Sequence, residues 1–194
     1  TKIFVETCPH YLTLSYEKQN GYLAKVMPPI RSLDDNQNIW NALIHNEIDT
    51  VGTDHVANQL KLKLGGENVW GALAGFPGIG TVLPILLSEG INKNRISLQK
   101  LVSITSTNAA KIFSMHPKKG SLDTGSDADI TLIDLKLEKK VSSELFGGFS
   151  DYIVYDDWLL KGWPVKTIVR GNVVAEDFEV IGKPGYGELV PRSI

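Results

Sequence analysis

One stretch of this sequence ends a buried-type strand in side chains suited to proton chemistry. The largely apolar, β-branched residues 48–52 lead directly into Thr53-Asp54-His55. An acid at the end of a parallel barrel strand faces the rim where the active sites of such barrels lie. A carboxylate there can take a proton from an activated water and pass it to a leaving nitrogen. Asp54 is therefore a candidate catalytic residue, although the same position suits a turn acid or a helix cap.

Two histidines are expected at the same rim. His55 follows Asp54 directly, and His10 follows Cys8-Pro9 at the end of an earlier strand-like segment. We interpret both as candidates for supporting the acid or contacting substrate, whereas a lone histidine is also commonly structural. Two histidines and one acid do not define a metal site by their spacing.

The elements that must position these residues alternate between strand and helix. Residues 2–5 (KIFV) are typical of a short buried strand, and Ser32 offers an N-cap for an amphipathic helix over residues 35–46. The Asp54 strand follows that helix, which is the repeating unit of a parallel α/β architecture. The glycine-rich residues 56–80 indicate a long functional loop over the strand ends.

The character of the sequence changes after three further predicted helices, which start near Thr81, Ser97 and Asn108. Residues 130–135 are typical of a strand, and two apolar runs flank Gly171 as in a β-hairpin. We therefore predict an α/β part over residues 1–118 and a small β-region over residues 119–194.

Composition excludes several classes of protein. The 194 residues are 42% hydrophobic and 22% charged, which is typical of a globular chain, and the formal net charge is −2. Nucleic-acid binding is not expected because basic clusters are absent from the sequence, and no apolar run is long enough to span a membrane. A single cysteine suits a reducing compartment, so a cytoplasmic protein is expected. The chain opens with Thr1 and a strand-like run, which suggests that it starts inside a larger fold.

Several motifs occur in the order seen in cyclic amidohydrolases, and the chain most resembles hydantoinases and dihydropyrimidinases. Allantoinase and dihydroorotase are related alternatives. The motifs that carry this resemblance are residues 6–12 (ETCPHYL), 27–31 (MPPIR), 52–55 (GTDH), 75–79 (GFPGI), 106–113 (STNAAKIF), 117–120 (PKKG), 125–129 (GSDAD), 161–165 (KGWPV) and 167–171 (TIVRG).

The resemblance implies a (β/α)8 barrel with two divalent metal ions, usually zinc, that hydrolyses a cyclic amide to an N-carbamoyl amino acid. It implies that Asp54 is both a metal ligand and the proton shuttle. It also implies that the backbone at Asn108 binds substrate. The chain is then similar to the C-terminal part of the barrel, with its last two strands and helices, followed by the C-terminal part of a small β-sandwich.

The sequence departs from this family in two ways. The His-x-His pair, the carboxylated lysine and the two further metal histidines of the family have no counterpart among the four histidines here. Met27 occupies a substrate-contacting position where the family has Ser or Asn. We therefore expect the chain to need a missing N-terminal barrel segment for activity on a small cyclic amide, and to form a homo-oligomer. A non-catalytic scaffold or assembly protein is the alternative.

Overall fold

The computed structural model describes residues 2–18, 21–66 and 68–192, and its architecture is mixed α/β. The strands are β1 (Glu6–Thr7), β2 (Thr50–Val51), β3 (Ile130–Lys140), β4 (Leu159–Val169), β5 (Asn172–Glu176) and β6 (Glu179–Val180). The α-helices are α1 (Pro9–Thr13), α2 (Leu33–Ile44), α3 (Leu60–Lys63), α4 (Val82–Ile85), α5 (Leu98–Val102) and α6 (Asn108–Ile112). The segments Leu86–Ile91 and Ser103–Thr107 are π-helical and continue α4 and α5. Across the described ranges, none of the helices is long and apolar enough to cross a membrane.

The strands β1 and β2 form a two-stranded parallel sheet in which Glu6 pairs with Thr50. Their parallel direction brings both carboxyl ends to the same edge, and Asp54 follows one of them. The placement of Asp54 just beyond β2 agrees with the sequence-based prediction.

The position of β1 corrects the sequence-based assignment of a buried strand to residues 2–5. Pairing begins only where the carbonyl oxygen of Val5 accepts the backbone N–H of Asp49 at 2.8 Å. The preceding side chains remain in solvent, with Ile3 83% exposed. A run of apolar, β-branched residues indicates strand propensity, but the neighbouring chain decides where the ladder starts.

Helix α2 begins directly after the predicted Ser32 cap, and both of its ends lie two residues earlier than the predicted range of 35–46. The Ser32 hydroxyl accepts the backbone N–H of Asp35, and the Asp35 carboxylate accepts that of Ser32, which completes a capping box. Further along, the Trp40 indole N–H donates to the carbonyl oxygen of Leu12 at 3.0 Å. These contacts fix α2 against the segment that follows β1, and thereby fix the direction of that segment.

The four remaining strands form an antiparallel sheet in the order β3-β4-β5-β6. The hairpin predicted around Gly171 is confirmed, since Val169 pairs with Asn172 across a turn in which Arg170 and Gly171 have φ values of 45° and 80°. Two successive positive φ angles are typical of a type I′ turn, which suits the twist of paired strands.

A shared core joins the antiparallel sheet to the helical part of the chain. Phe76 and Ile85 from the first part pack in one cluster with Tyr155, Leu160 and Trp163 from the second. Among the described residues, the parts of the chain before and after residue 118 therefore share one hydrophobic cluster. The division into barrel and sandwich parts at residues 118–119 stays a prediction.

Candidate active site

Gly52 directly follows β2 and lies against the Glu6 side chain of β1. A Cβ atom on Gly52 would come within 2.5 Å of Glu6 Oε1. The Gly52 N–H donates to the carbonyl oxygen of Thr7 at 2.9 Å, and the Thr50 hydroxyl donates to Glu6 Oε2 at 2.9 Å. A side chain at residue 52 would therefore displace the Glu6 carboxylate, which is the flexible end of that side chain.

Asp54 is exposed at this edge, and its backbone is in the left-handed region with φ of 46°. Aspartate adopts this conformation more readily than most other residues that have a Cβ atom. Burial, followed by the charges of Asp54 and Glu6, raises the pKa of Cys8 to about 12. Cys8 is therefore a neutral thiol beside the acid and lacks the thiolate that a nucleophile needs.

His55 joins Asp54 to the glycine-rich loop. Its Nδ1 accepts the backbone N–H groups of Gly78 at 3.0 Å and Ile79 at 3.3 Å. The backbone at His55 also forms a parallel bridge with Phe76. Because Nδ1 accepts both bonds, the proton of the neutral ring lies on Nε2. His55 thus holds residues 76–79 next to Asp54, which fits a supporting role.

His10 lies inside the protein and is only 2% exposed. Its ring meets Tyr11 and Phe76 edge-on, at centroid distances of 4.2 and 5.1 Å. Within the described residues its Nε2 has no hydrogen-bond partner. Burial lowers the pKa of His10 to about 4, so the ring is neutral at pH 7. The structure places His10 beneath the site as a packed ring.

The burial of His10 predicts a pH dependence of stability. Because the folded pKa of about 4 lies below the unfolded value of 6.5, only the unfolded chain binds this proton between those values. Stability is then fully present above pH 6.5 and decreases as the pH falls toward 4, by about 2 kcal/mol between pH 7.5 and 4.5. Urea unfolding of wild type and His10→Gln at both pH values measures this, and the variant should lose less stability on acidification.

An identical pH dependence in wild type and His10→Gln would contradict the assignment of a buried neutral ring to His10.

Met27 precedes Pro28, whose carbonyl oxygen is bonded to Tyr11. The Tyr11 hydroxyl donates to the carbonyl oxygen of Pro28 at 2.7 Å, and the Met27 side chain is 74% exposed. Burial, then the Cys8 and Asp54 charges, raise the pKa of Tyr11, so this phenol lies within the electrostatic influence of Asp54. Tyr11 was not among the candidate residues predicted from the sequence, although its position just after His10 was a usable signal.

Asn108 is not brought to these strand ends. Its Nδ2 donates to the carbonyl oxygen of Asp49 at 2.7 Å, and its Oδ1 accepts the Ser103 hydroxyl at 3.0 Å. Its backbone N–H bonds to the carbonyl oxygen of Ser103 within the helix. Asp49 precedes β2, so Asn108 supports the opposite end of the strand from Asp54, and its backbone donor is already used.

The described side chains do not form a complete metal centre. A zinc ion in a protein generally takes at least three ligands from His, Cys, Asp or Glu. Among residues 2–18, 21–66 and 68–192, no group of three such side chains converges. The exposed Asp54 carboxylate offers a hard oxygen that suits one ligand position. The residues present therefore fit one position of a metal site.

The comparisons with known proteins identify the family of this chain. The model of the amidohydrolase family matches residues 7–174. An L-hydantoinase from Paenarthrobacter aurescens is 39% identical over 98% of this chain, and a D-hydantoinase from Geobacillus stearothermophilus is 38% identical over 98%. The solved L-hydantoinase (dihydropyrimidinase) from Arthrobacter aurescens superposes with a TM-score of 0.94 at 39% identity, over 97% of this chain and 43% of its own. The chain spans 42% of the length of the two curated relatives.

Proposed function

Since this chain belongs to the amidohydrolase family, we propose that the full-length protein is a metal-dependent hydrolase of hydantoin-type or dihydropyrimidine-type rings. The reaction opens a cyclic amide to an N-carbamoyl amino acid. The observation that carries the proposal is Asp54, an exposed acid with a left-handed backbone directly after a parallel strand. The similarity of the chain to hydantoinases over nearly its whole length supports this choice of ring chemistry.

Asp54 has two roles in this proposal. It contributes one ligand to a divalent metal site, which we propose to be a zinc site. When bound, the metal supplies Lewis-acid activation of a water molecule. The Asp54 carboxylate takes a proton from the attacking water and returns it to the ring nitrogen that leaves. In this proposal, Asp54 alone transfers the proton from the attacking water to the leaving ring nitrogen.

The other metal ligands come, in this proposal, from parts of the full-length protein outside these 194 residues. The described residues supply the Asp54 carboxylate but no group of three converging ligands. A lone carboxylate does not hold zinc at catalytic occupancy. We therefore expect the 194-residue chain alone to be inactive toward cyclic amides.

The remaining candidate residues take different positions around the acid. Met27 is exposed, which suits contact with substrate, and the carbonyl oxygen of the next residue, Pro28, accepts the Tyr11 hydroxyl. An apolar thioether there favours a ring with an apolar substituent over a strongly polar one. His55 supports Asp54 by fixing the neighbouring loop. The Asn108 side chain is bonded to Asp49 and Ser103, and a substrate contact by the Asn108 backbone stays a prediction.

The test is hydrolysis by the full-length protein. Hydantoin, dihydrouracil, dihydroorotate and allantoin would be offered separately, and ring opening followed by the loss of ultraviolet absorbance or by product chromatography. We expect turnover of a hydantoin or dihydropyrimidine, loss of turnover after chelation, and recovery with added zinc. A full-length protein that binds metal stoichiometrically yet opens none of these rings would reject the enzyme and favour a non-catalytic scaffold. The homo-oligomer stays a prediction.

A further inference from the structure

Lys63 is fully buried and its charge is held by backbone atoms. The Nζ donates to the carbonyl oxygens of Lys25 at 2.8 Å, Leu73 at 2.7 Å and Gly75 at 2.7 Å. The ammonium also lies 5.7 Å from the centroid of the Phe76 ring. Within the described part of the chain, no carboxylate pairs with it. We call these three carbonyl oxygens and Nζ the lysine cage.

The cage has a definite chemical composition. An ammonium has three protons, and each of them meets one carbonyl oxygen here. A buried charge is costly unless its hydrogen-bonding groups are satisfied. The three carbonyl oxygens, which come from two separate segments of the chain, satisfy this charge. Burial, then the Lys25 charge, lower the pKa of Lys63 to about 8. The group remains mostly protonated at pH 7 and keeps all three donors.

The three carbonyl oxygens belong to segments that meet at the candidate active site. Residue 25 lies two positions before Met27, and its carbonyl oxygen also accepts the Gly75 N–H at 2.9 Å. The Leu73 N–H donates back to the carbonyl oxygen of Lys63 at 3.1 Å. Gly75 leads directly into residues 76–79, which His55 holds beside Asp54. One ammonium thus joins residues 25–28, which we call the Met27 segment, to the loop of residues 73–79 beside Asp54.

A second lysine supports the same loop from outside. The Lys25 Nζ donates to the carbonyl oxygens of Val69 at 2.7 Å and Ala72 at 2.6 Å. The Asp151 carboxylate accepts the N–H of Leu60, at the start of the helix that carries Lys63. These contacts hold the start of the helix at residue 60 and the loop at residues 69 and 72, which flank the buried Lys63 in the sequence.

We propose that Lys63 is a positioning residue, whose ammonium fixes residues 73–79 and the Met27 segment relative to Asp54 and His55. This inference rests on the proposed function, because the loop is taken to line the substrate site. Lys63 touches no reacting atom. Its effect reaches the site through the backbone that it holds.

The experiment compares Lys63→Met with Lys61→Met in the metal-loaded full-length protein. Lys61 lies on the same helix and is exposed, so it is the matched control. We expect Lys63→Met to raise KM for the ring substrate by about tenfold while kcat changes less, because misplaced backbone weakens substrate contacts. A merely structural loss would lower the active fraction, and with it the apparent kcat, at unchanged KM. Equal KM values in the two variants would overturn the inference.

Hydrogen–deuterium exchange gives a second readout that does not depend on turnover. In wild type, the hydrogen-bonded amides of Leu73, Gly75, Gly78 and Ile79 should be protected. Lys63→Met should accelerate their exchange while β3, β4 and β5 stay unchanged. Unprotected amides in wild type would overturn the cage even if Lys63→Met and a second variant, Lys63→Gln, both failed to fold. If wild type opens no ring, the proposed function fails, whereas exchange still decides the role of Lys63.

Discussion

Asp54→Asn in the full-length protein is expected to abolish ring opening, with kcat reduced by about a thousandfold or more. The amide cannot take a proton from water or return one to the leaving nitrogen, and it is a weaker metal ligand than a carboxylate. The fold should be unaffected, because Asn adopts the left-handed backbone of residue 54 at least as readily as Asp. The measurement is turnover of the best ring substrate, with circular dichroism to check the fold.

Asp157→Asn is the matched control for that substitution. Asp157 also has a positive φ, 62°, and it lies on the surface in an ion pair with Lys140 at 3.2 Å. The change therefore alters the same chemical group on a similar backbone, away from β2. Asp157→Asn should retain wild-type turnover. If Asp54→Asn also retained it, Asp54 would not be the proton shuttle.

Trp40→Ala is expected to produce the largest loss of stability, about 3–5 kcal/mol in the free energy of unfolding. Trp40 on α2 is completely buried and packs against the π-helical segment Leu86–Ile91, where a Cβ on Gly90 would lie 3.3 Å from its ring. Removing the indole leaves a cavity and takes the N–H donor away from the carbonyl oxygen of Leu12. The segment after β1 then loses its attachment to α2.

Thermal unfolding of the full-length protein measures this effect, with Trp70→Ala as the control. Trp70 is 87% exposed on the loop, so its truncation removes the same side chain without opening a cavity. We expect a clear fall in the unfolding midpoint for Trp40→Ala and almost none for Trp70→Ala. Equal midpoints for the two variants would show that the packing around Trp40 does not stabilise the fold as described.

Short-range chemistry explains the parts of the fold that were predicted well. The Ser32 cap and the Gly171 turn depend on residues within a few positions of each other, so their side chains are visible together in the sequence. The start of β1 was wrong by several residues because pairing with Asp49 defines it, and that residue lies more than forty positions away. The family resemblance drawn from the motif order is confirmed.

In the candidate site, too, some features followed from the sequence and others required the folded chain. The place of Asp54 after a strand followed from the pattern of residues 48–55. The loop contact made by His55, the burial of His10 and the position of Asn108 at the base of β2 required the folded chain. Lys63 could not be recognised at all, because its neighbours along the helix give no sign of burial.

The sequence alone determined the local elements, the order of the motifs and the acid that ends β2, because each of these depends on residue type and short spacing. The tertiary structure decided which side chains are enclosed and which backbone atoms face them. Lys63 meets the carbonyl oxygen of residue 25, 38 positions away, and His10 packs on Phe76. Burial and hydrogen bonding between distant segments exist only after the chain has folded, and they decide how Asp54 is surrounded.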